Sequence, residues 1–112
     1  MSAPVLSRRL VLEAPVRVPD GAGGVIESWA SLGTLWADVR PRSGRERAQA
    51  GETVSSMGYR IVVRGAPVGS VQRPAPEQRF RDGARLYRIR AVAEQEPAGR
   101  YITCFADEEV AA

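Results

Sequence analysis

At 112 residues the chain has the length of one domain with a single modest core. Its 44% apolar and 26% charged residues are ordinary globular composition and argue against wholesale disorder. Net charge is +3, every basic residue is an arginine, and histidine is absent, which removes the commonest general base and the commonest metal ligand together. An arginine-only set has two readings: a GC-rich coding bias, or guanidinium forks kept for interface ion pairs and phosphate contacts. The lone Cys104 excludes an internal disulfide framework and a multi-cysteine zinc site, and its place in an alternating strand makes it a small buried hydrophobe rather than a nucleophile. No apolar run approaches the ~18 residues of a membrane span, and no signal-peptide core opens the chain, so a soluble protein made in the cytoplasm is expected.

In chain order, residues 1–7 are expected as a flexible arm. Arg9–Val18 alternates as a first strand, with Leu10, Leu12, Ala14, Val16 and Val18 on one face and Pro15 marking an edge or a bulge. Pro19-Asp20-Gly21-Ala22-Gly23-Gly24 is the strongest turn signal in the chain. Its glycines lack the Lys-Ser/Thr of a phosphate-binding P-loop, which favours a hairpin turn. Val25–Trp29 is the returning strand. Ala30–Gly33 breaks it with a bend or bulge, and Thr34–Arg40 resumes with Leu35, Ala37 and Val39 on one face. Pro41 cannot continue a hydrogen-bond ladder and is expected to end the strand. In their simplest reading Trp29 and Trp36 pack the core or a barrel end.

Between Pro41 and the next clear strand, Tyr59–Arg64, lies a long polar stretch, Arg42–Gly58. Hairpin loops usually hold about two to five residues, and those beyond roughly 12–15 tend to be functional or disordered. This stretch is therefore the candidate functional loop, with Arg42, Ser43, Gly44, Arg45, Glu46, Arg47, Gly51 and Gly58 as its candidate residues. Ser43 and Glu46 have capping-box spacing, so a short helix of at most two turns can start at Ser43, with Gly51 as its stop. Such a helix is too short to stand alone in water and needs a partner surface.

After Arg64, residues 65–76 are rich in proline and glycine and read as irregular or a short edge strand. Arg79–Arg81 and the Asp82-Gly83 turn follow. Arg85–Val92 is a clear strand with Tyr87, Ile89 and Ala91 on one face, Glu94–Gly99 a loop, Arg100–Ala106 the last strand, and 107–112 an acidic tail. The sum is an all-β fold: a small single-domain barrel or sandwich of about six strands over residues 1–112, with the long loop between its second and third main strands.

The carboxylates show no spacing that ties a pair to one site, and no serine stands in a nucleophile elbow. No enzyme activity, catalytic residue, metal site or cofactor is expected. Arginines fall into two clusters. One is Arg40, Arg42, Arg45 and Arg47; the other is Arg79, Arg81, Arg85, Arg88 and Arg90. The second is either a solvated face paired to acids of neighbouring strands or subunits, or a surface close to a polyanion.

Order and spacing along residues 8–106 resemble the head-tail joining family of tailed bacteriophages, its head-closure or stopper proteins. The resemblance is carried by Arg9-Leu10, Asp20-Gly21-Ala22-Gly23-Gly24 and Trp29, then Trp36-Ala37-Asp38-Val39-Arg40-Pro41 and Ser43-Gly44-Arg45-Glu46. The basic strand ending at Arg64, Gly83 before Leu86-Tyr87-Arg88-Ile89, and Tyr101-Ile102-Thr103-Cys104 complete it. The departure lies in residues 65–78, where a proline-rich stretch replaces a plainer strand and an aspartate-containing segment.

The resemblance implies a small β-barrel repeated six or twelve times in a ring in the neck of a phage or gene transfer agent particle. Such a ring would sit between the adaptor ring under the portal and the tail terminator, with double-stranded DNA passing through it. The loop Arg42–Gly58 would point into the channel, and Arg79, Arg81, Arg85, Arg88 and Arg90 would face DNA or a neighbouring subunit. No membrane partner is implied. The alternative is a small arginine-rich β-barrel that binds nucleic acid.

Overall fold

The computed structural model describes residues 3–49, 52–94 and 96–109, the side chains of 43–49 and 52–56 excepted. Strands β1 (Arg8–Pro19), β2 (Val25–Gln49), β3 (Glu52–Arg64), β4 (Arg79–Asp82), β5 (Arg85–Glu94) and β6 (Tyr101–Glu109) form one antiparallel sheet. The sheet closes into a barrel in the order β1-β2-β3-β6-β5-β4. No helix is present among the described residues. The expected all-β barrel of about six strands is what the chain forms.

Period-two alternation decides what goes inside. Leu10, Leu12, Ala37, Ile61, Val63, Phe80, Tyr87, Ile89, Ile102, Cys104 and Ala106 make the buried core, with Leu35, Val39, Tyr59 and Val92 packed against it. The β1–β2 hairpin turns where it was expected to. Asp20 Oδ1 accepts from the Ala22 and Gly24 amides at 2.8 and 2.9 Å, and Gly21 and Gly23 take φ near +85°, at 84° and 86°. The expected bend at 30–33 is a β-bulge inside one unbroken strand: Leu12 pairs with Gly33 and Glu13 with Ser31, leaving Leu32 over. A second bulge leaves Arg90 over between Ile89 and Ala91. It reverses the alternation read from sequence, so Ala91 is exposed and Val92 turns to the core.

Four expectations are corrected. Pro41 does not end its strand. The pairing of β1 with β2 stops at Arg8–Ala37, so at Pro41 one edge of β2 is open and no ladder bond is lost. The loop Arg42–Gly58 is not a loop but a β-ribbon, paired from Ser43–Gly58 to Gln49–Glu52. The helix expected from Ser43 is therefore absent through Gln49, and its stop at Gly51 lies outside the described residues. The acidic stretch Asp107–Glu109 is the end of β6, paired to β5, rather than a tail, while 110–112 lie outside the described residues. Trp36 is 56% exposed and takes no part in the core.

Residues 3–7 of the expected arm run beside β2, where the Val5 amide donates to Asp38 Oδ2 at 3.0 Å. The 65–78 segment is irregular. The Gly65 amide donates to the Arg100 carbonyl at 2.8 Å, and the Glu77–Gln78 end rejoins the sheet through two hydrogen bonds with Ile89. A Cβ built on Gly65 would overlap the carbonyl oxygen of Gly99. Gly65→Ala is therefore expected to cost about 1–3 kcal/mol through forced backbone movement, read as a lower urea midpoint.

Candidate functional site

The ribbon is the element that leaves the barrel. The ladder between β3 and β6 begins at Gly58–Asp107, so beyond Gly58 the strands β2 and β3 have only each other as neighbours among the described residues. Seven paired residues per strand at about 3.3 Å each give an arm of roughly 23 Å. The radius of gyration is 15.5 Å against about 13 Å for a compact chain of this length, and the longest extent is 49 Å. Polar residues on both faces explain why the ribbon was unreadable as strand: no apolar side alternates with a polar one. A lone two-stranded ribbon is marginal in water, so its order is worth most when a neighbouring surface covers it.

At the base of the arm Arg42 sits in a bulge between Pro41 and Ser43. Its guanidinium lies over the Phe105 ring at 5.3 Å and so close across Gly58 that a Cβ there would meet Nη2 at 3.1 Å. Arg60 approaches the same ring at 5.8 Å. Arg60 pairs across the strands with Arg40, two like charges face to face, and among the described residues only Arg40 is neutralised, by Asp38 at 3.0 Å. The hydrogen bond from Arg40 holds the Asp38 carboxyl below the usual carboxylate range. The side chains of Ser43, Arg45, Glu46 and Arg47, further out, lie outside the description, as does Gly51.

Arg79, Arg81, Arg85, Arg88 and Arg90 are all engaged within the chain. Glu13 accepts from Arg79 Nε at 2.8 Å and Arg81 Nε at 2.9 Å. Arg85 binds Glu108, Arg88 binds Glu77 and Glu109, and Arg90 binds Asp107. Trp29 lies under this cluster, 3.9 Å from the Arg79 guanidinium and 5.2 Å from that of Arg88. Of the two alternatives posed by the sequence, pairing to acids of neighbouring strands is what the folded chain contains. Glu13 and Phe105 went unnoticed in the sequence, and Trp29 was singled out for packing but not as a platform for two guanidinia, because their partners are distant in the chain and no local spacing announces them.

One barrel end is polar. Arg8 pairs with Asp82, and Arg85 joins Glu108 at 2.8 Å and the Tyr59 hydroxyl at 2.9 Å. Tyr59 meets Tyr87 edge-on at 5.0 Å. The Arg85 hydrogen bond holds the Glu108 carboxyl low. For Glu13, burial works to raise the carboxyl, but the bonds from Arg79 and Arg81 outweigh it and hold it low. Burial pushes the Cys104 thiol up to about 12, which makes it a poor nucleophile.

The family described as "Phage head completion protein" matches residues 1–109. Among solved structures, a chain of the "Virion of native gene transfer agent (GTA) particle" aligns at 55% identity and a TM-score of 0.85, covering 98% of this chain and 100% of that one. No curated protein matches.

The depressed carboxyls set a pH dependence. Because Glu13 and Glu108 are held below their unfolded values, their stabilisation is complete above the unfolded value of about 4.3 and drains as pH falls through it toward the folded values. Urea midpoints are expected to be flat from about pH 7 to 5 and to drop below about pH 4. Glu13→Gln is expected to cost about 2 kcal/mol at neutral pH and to make that acid drop shallower.

Proposed function

The chain belongs to the phage head completion protein family, and from this we propose that it is the stopper in the neck of a tailed phage or of a gene transfer agent particle. It is made in the host cytoplasm and built into the particle as a ring of six or twelve copies. The ring lies between the portal and adaptor on one side and the tail terminator on the other, where it closes the DNA channel and docks the tail. Its role is structural rather than enzymatic.

The observation that carries this reading is the ribbon of residues 43–49 and 52–57, which leaves a closed barrel and has no third strand beside it among the described residues. An arm of that kind, repeated around a ring, meets its counterparts at the axis. Arg42 at its base and Arg45 and Arg47 along it bring cations toward a duplex in the channel, whose phosphates favour them without regard to sequence. The Arg79–Arg90 cluster supports the role differently, by holding the barrel together through its own acids. At the base of the arm, Arg42 and Arg60 are guanidinia with no carboxylate among the described residues, and both approach Phe105.

Two outcomes test the reading. Particles from a strain lacking the gene are expected, in electron micrographs, as separate tails beside tailless heads that leak DNA; intact tailed particles would overturn it. Replacing residues 43–57 by a two-residue Asn-Gly turn is expected to leave a folded barrel, since the ladder from Gly58–Asp107 onward is untouched. Rings carrying that variant are expected to join head to tail but to retain packaged DNA poorly, and normal retention would remove the gating role.

A further inference from the structure

Among the described residues nine large apolar side chains stand exposed. Four of them, Val16, Val18, Val25 and Ile26, sit on the tip of the β1–β2 hairpin, and Met57 is on the arm. The other four, Val5, Trp36, Val68 and Val71, belong to segments that border one groove. Its volume is about 600 Å³, and it runs between residues 5–6, β2 and the irregular 65–78 segment, lined by Leu6, Leu35, Trp36, Arg64, Ala66 and Gln72. That is within the size range of binding clefts, which is roughly 300–1,000 Å³.

The walls are pinned in advance. Val5 is tied to Asp38, and Gly65 to the Arg100 carbonyl. Arg73 reaches back to the Ala66 carbonyl at 2.9 Å and to Glu94 at 3.3 Å. A turn from Pro67 to Ser70 and another from Ser70 to Arg73 shape the rim. Preformed walls lose little entropy on binding.

Charge decides the occupant. Arg64 lines the groove, and Arg9 pairs across β1–β2 with Trp36. Neither has a carboxylate within ion-pair distance among the described residues. Among the described side chains, which exclude those of Glu46 and Glu52, a second copy of this chain has no free carboxylate to supply one. Glu13, Glu27, Asp38, Glu77, Asp82, Glu94, Glu96, Asp107, Glu108 and Glu109 are each paired to an arginine, and Asp20 is consumed by its own turn. Duplex DNA would satisfy the arginines but leave Trp36, Leu6 and Leu35 uncovered, whereas contiguous apolar surface rimmed by charge suits a protein partner.

We propose that this groove receives an acidic segment of a different protein of the particle. One large apolar side chain of that segment packs on Trp36 and Leu6, and its carboxylates meet Arg64 and Arg9. The proposal rests on the neck reading only in drawing the partner from the same particle.

The test uses the full chain and a fluorescein-labelled, tryptophan-free peptide with one leucine flanked by glutamates, followed by anisotropy. Saturable binding is expected, weakened about tenfold in Arg64→Glu and in Trp36→Ala, with both variants keeping the wild-type circular dichroism. Absence of saturable binding, equal binding of a lysine-flanked leucine peptide, or equal competition by a short DNA duplex would each overturn the proposal. In particles, Arg64→Glu is expected to be lost from the neck. Its normal incorporation, alongside tailless heads from the gene deletion, would sink the groove and leave the neck reading standing. Intact particles from the gene deletion would sink the neck reading, whatever the peptide does.

Discussion

The barrel depends on its shortest seam. Strands β1 and β4 share three residue pairs, Val11–Arg81, Leu12–Phe80 and Glu13–Arg79, and these alone turn an open six-stranded sheet into a closed one. Leu12 and Phe80 seal the inside of the seam. Outside it, one nearly buried carboxylate, Glu13, is gripped by two guanidinia. A buried charge of this kind is costly unless its partners satisfy it, so the geometry tolerates little slippage. Closure also removes the sheet edges that would otherwise pair with other chains.

The same seam governs how charge is distributed. Glu13 occupies Arg79 and Arg81, the far end of β6 occupies Arg85, Arg88 and Arg90, and Trp29 is stacked beneath Arg79 and Arg88. The β4–β5 side is thereby neutral in effect despite its many arginines. The guanidinia left without a carboxylate among the described residues, Arg9, Arg42, Arg60 and Arg64, all lie on the outer side of β1, β2 and β3. A protein with a net charge of only +3 thus presents a one-sided basic surface. Arm and groove both belong to that side, and both are open edges or faces that the barrel itself does not use.

Bulges do the remaining shaping. Leu32 and Arg90 are single extra residues that bend β2 and β5, and each changes which neighbours face inward. The bulge at Arg42 places its guanidinium over the Phe105 ring where the arm departs. Proline at position 41 survives there because β1 has already ended. The arm is one continuous ribbon with the barrel parts of β2 and β3.

What the sequence by itself determined is the class of fold and the strands with an apolar face. In β1, β4, β6 and the barrel part of β2 and β3, alternation of Leu, Val, Ile and Ala with polar residues has only one way to be buried. Turn chemistry at Asp20–Gly24 and Gly83 was equally local, and the order of motifs was enough to indicate the family. Three things were decided only by tertiary structure. Residues 43–49 and 52–58 became strand because the two chains leaving the barrel are already in register, although neither has an apolar side to advertise it. The arginine cluster became internal ion pairs because β6 and β1 bring acids to it from about twenty to seventy residues away, a distance no local pattern records. Trp36 became surface and Trp29 a stacking platform because barrel curvature, set by bulges and closure, assigns the two faces of β2.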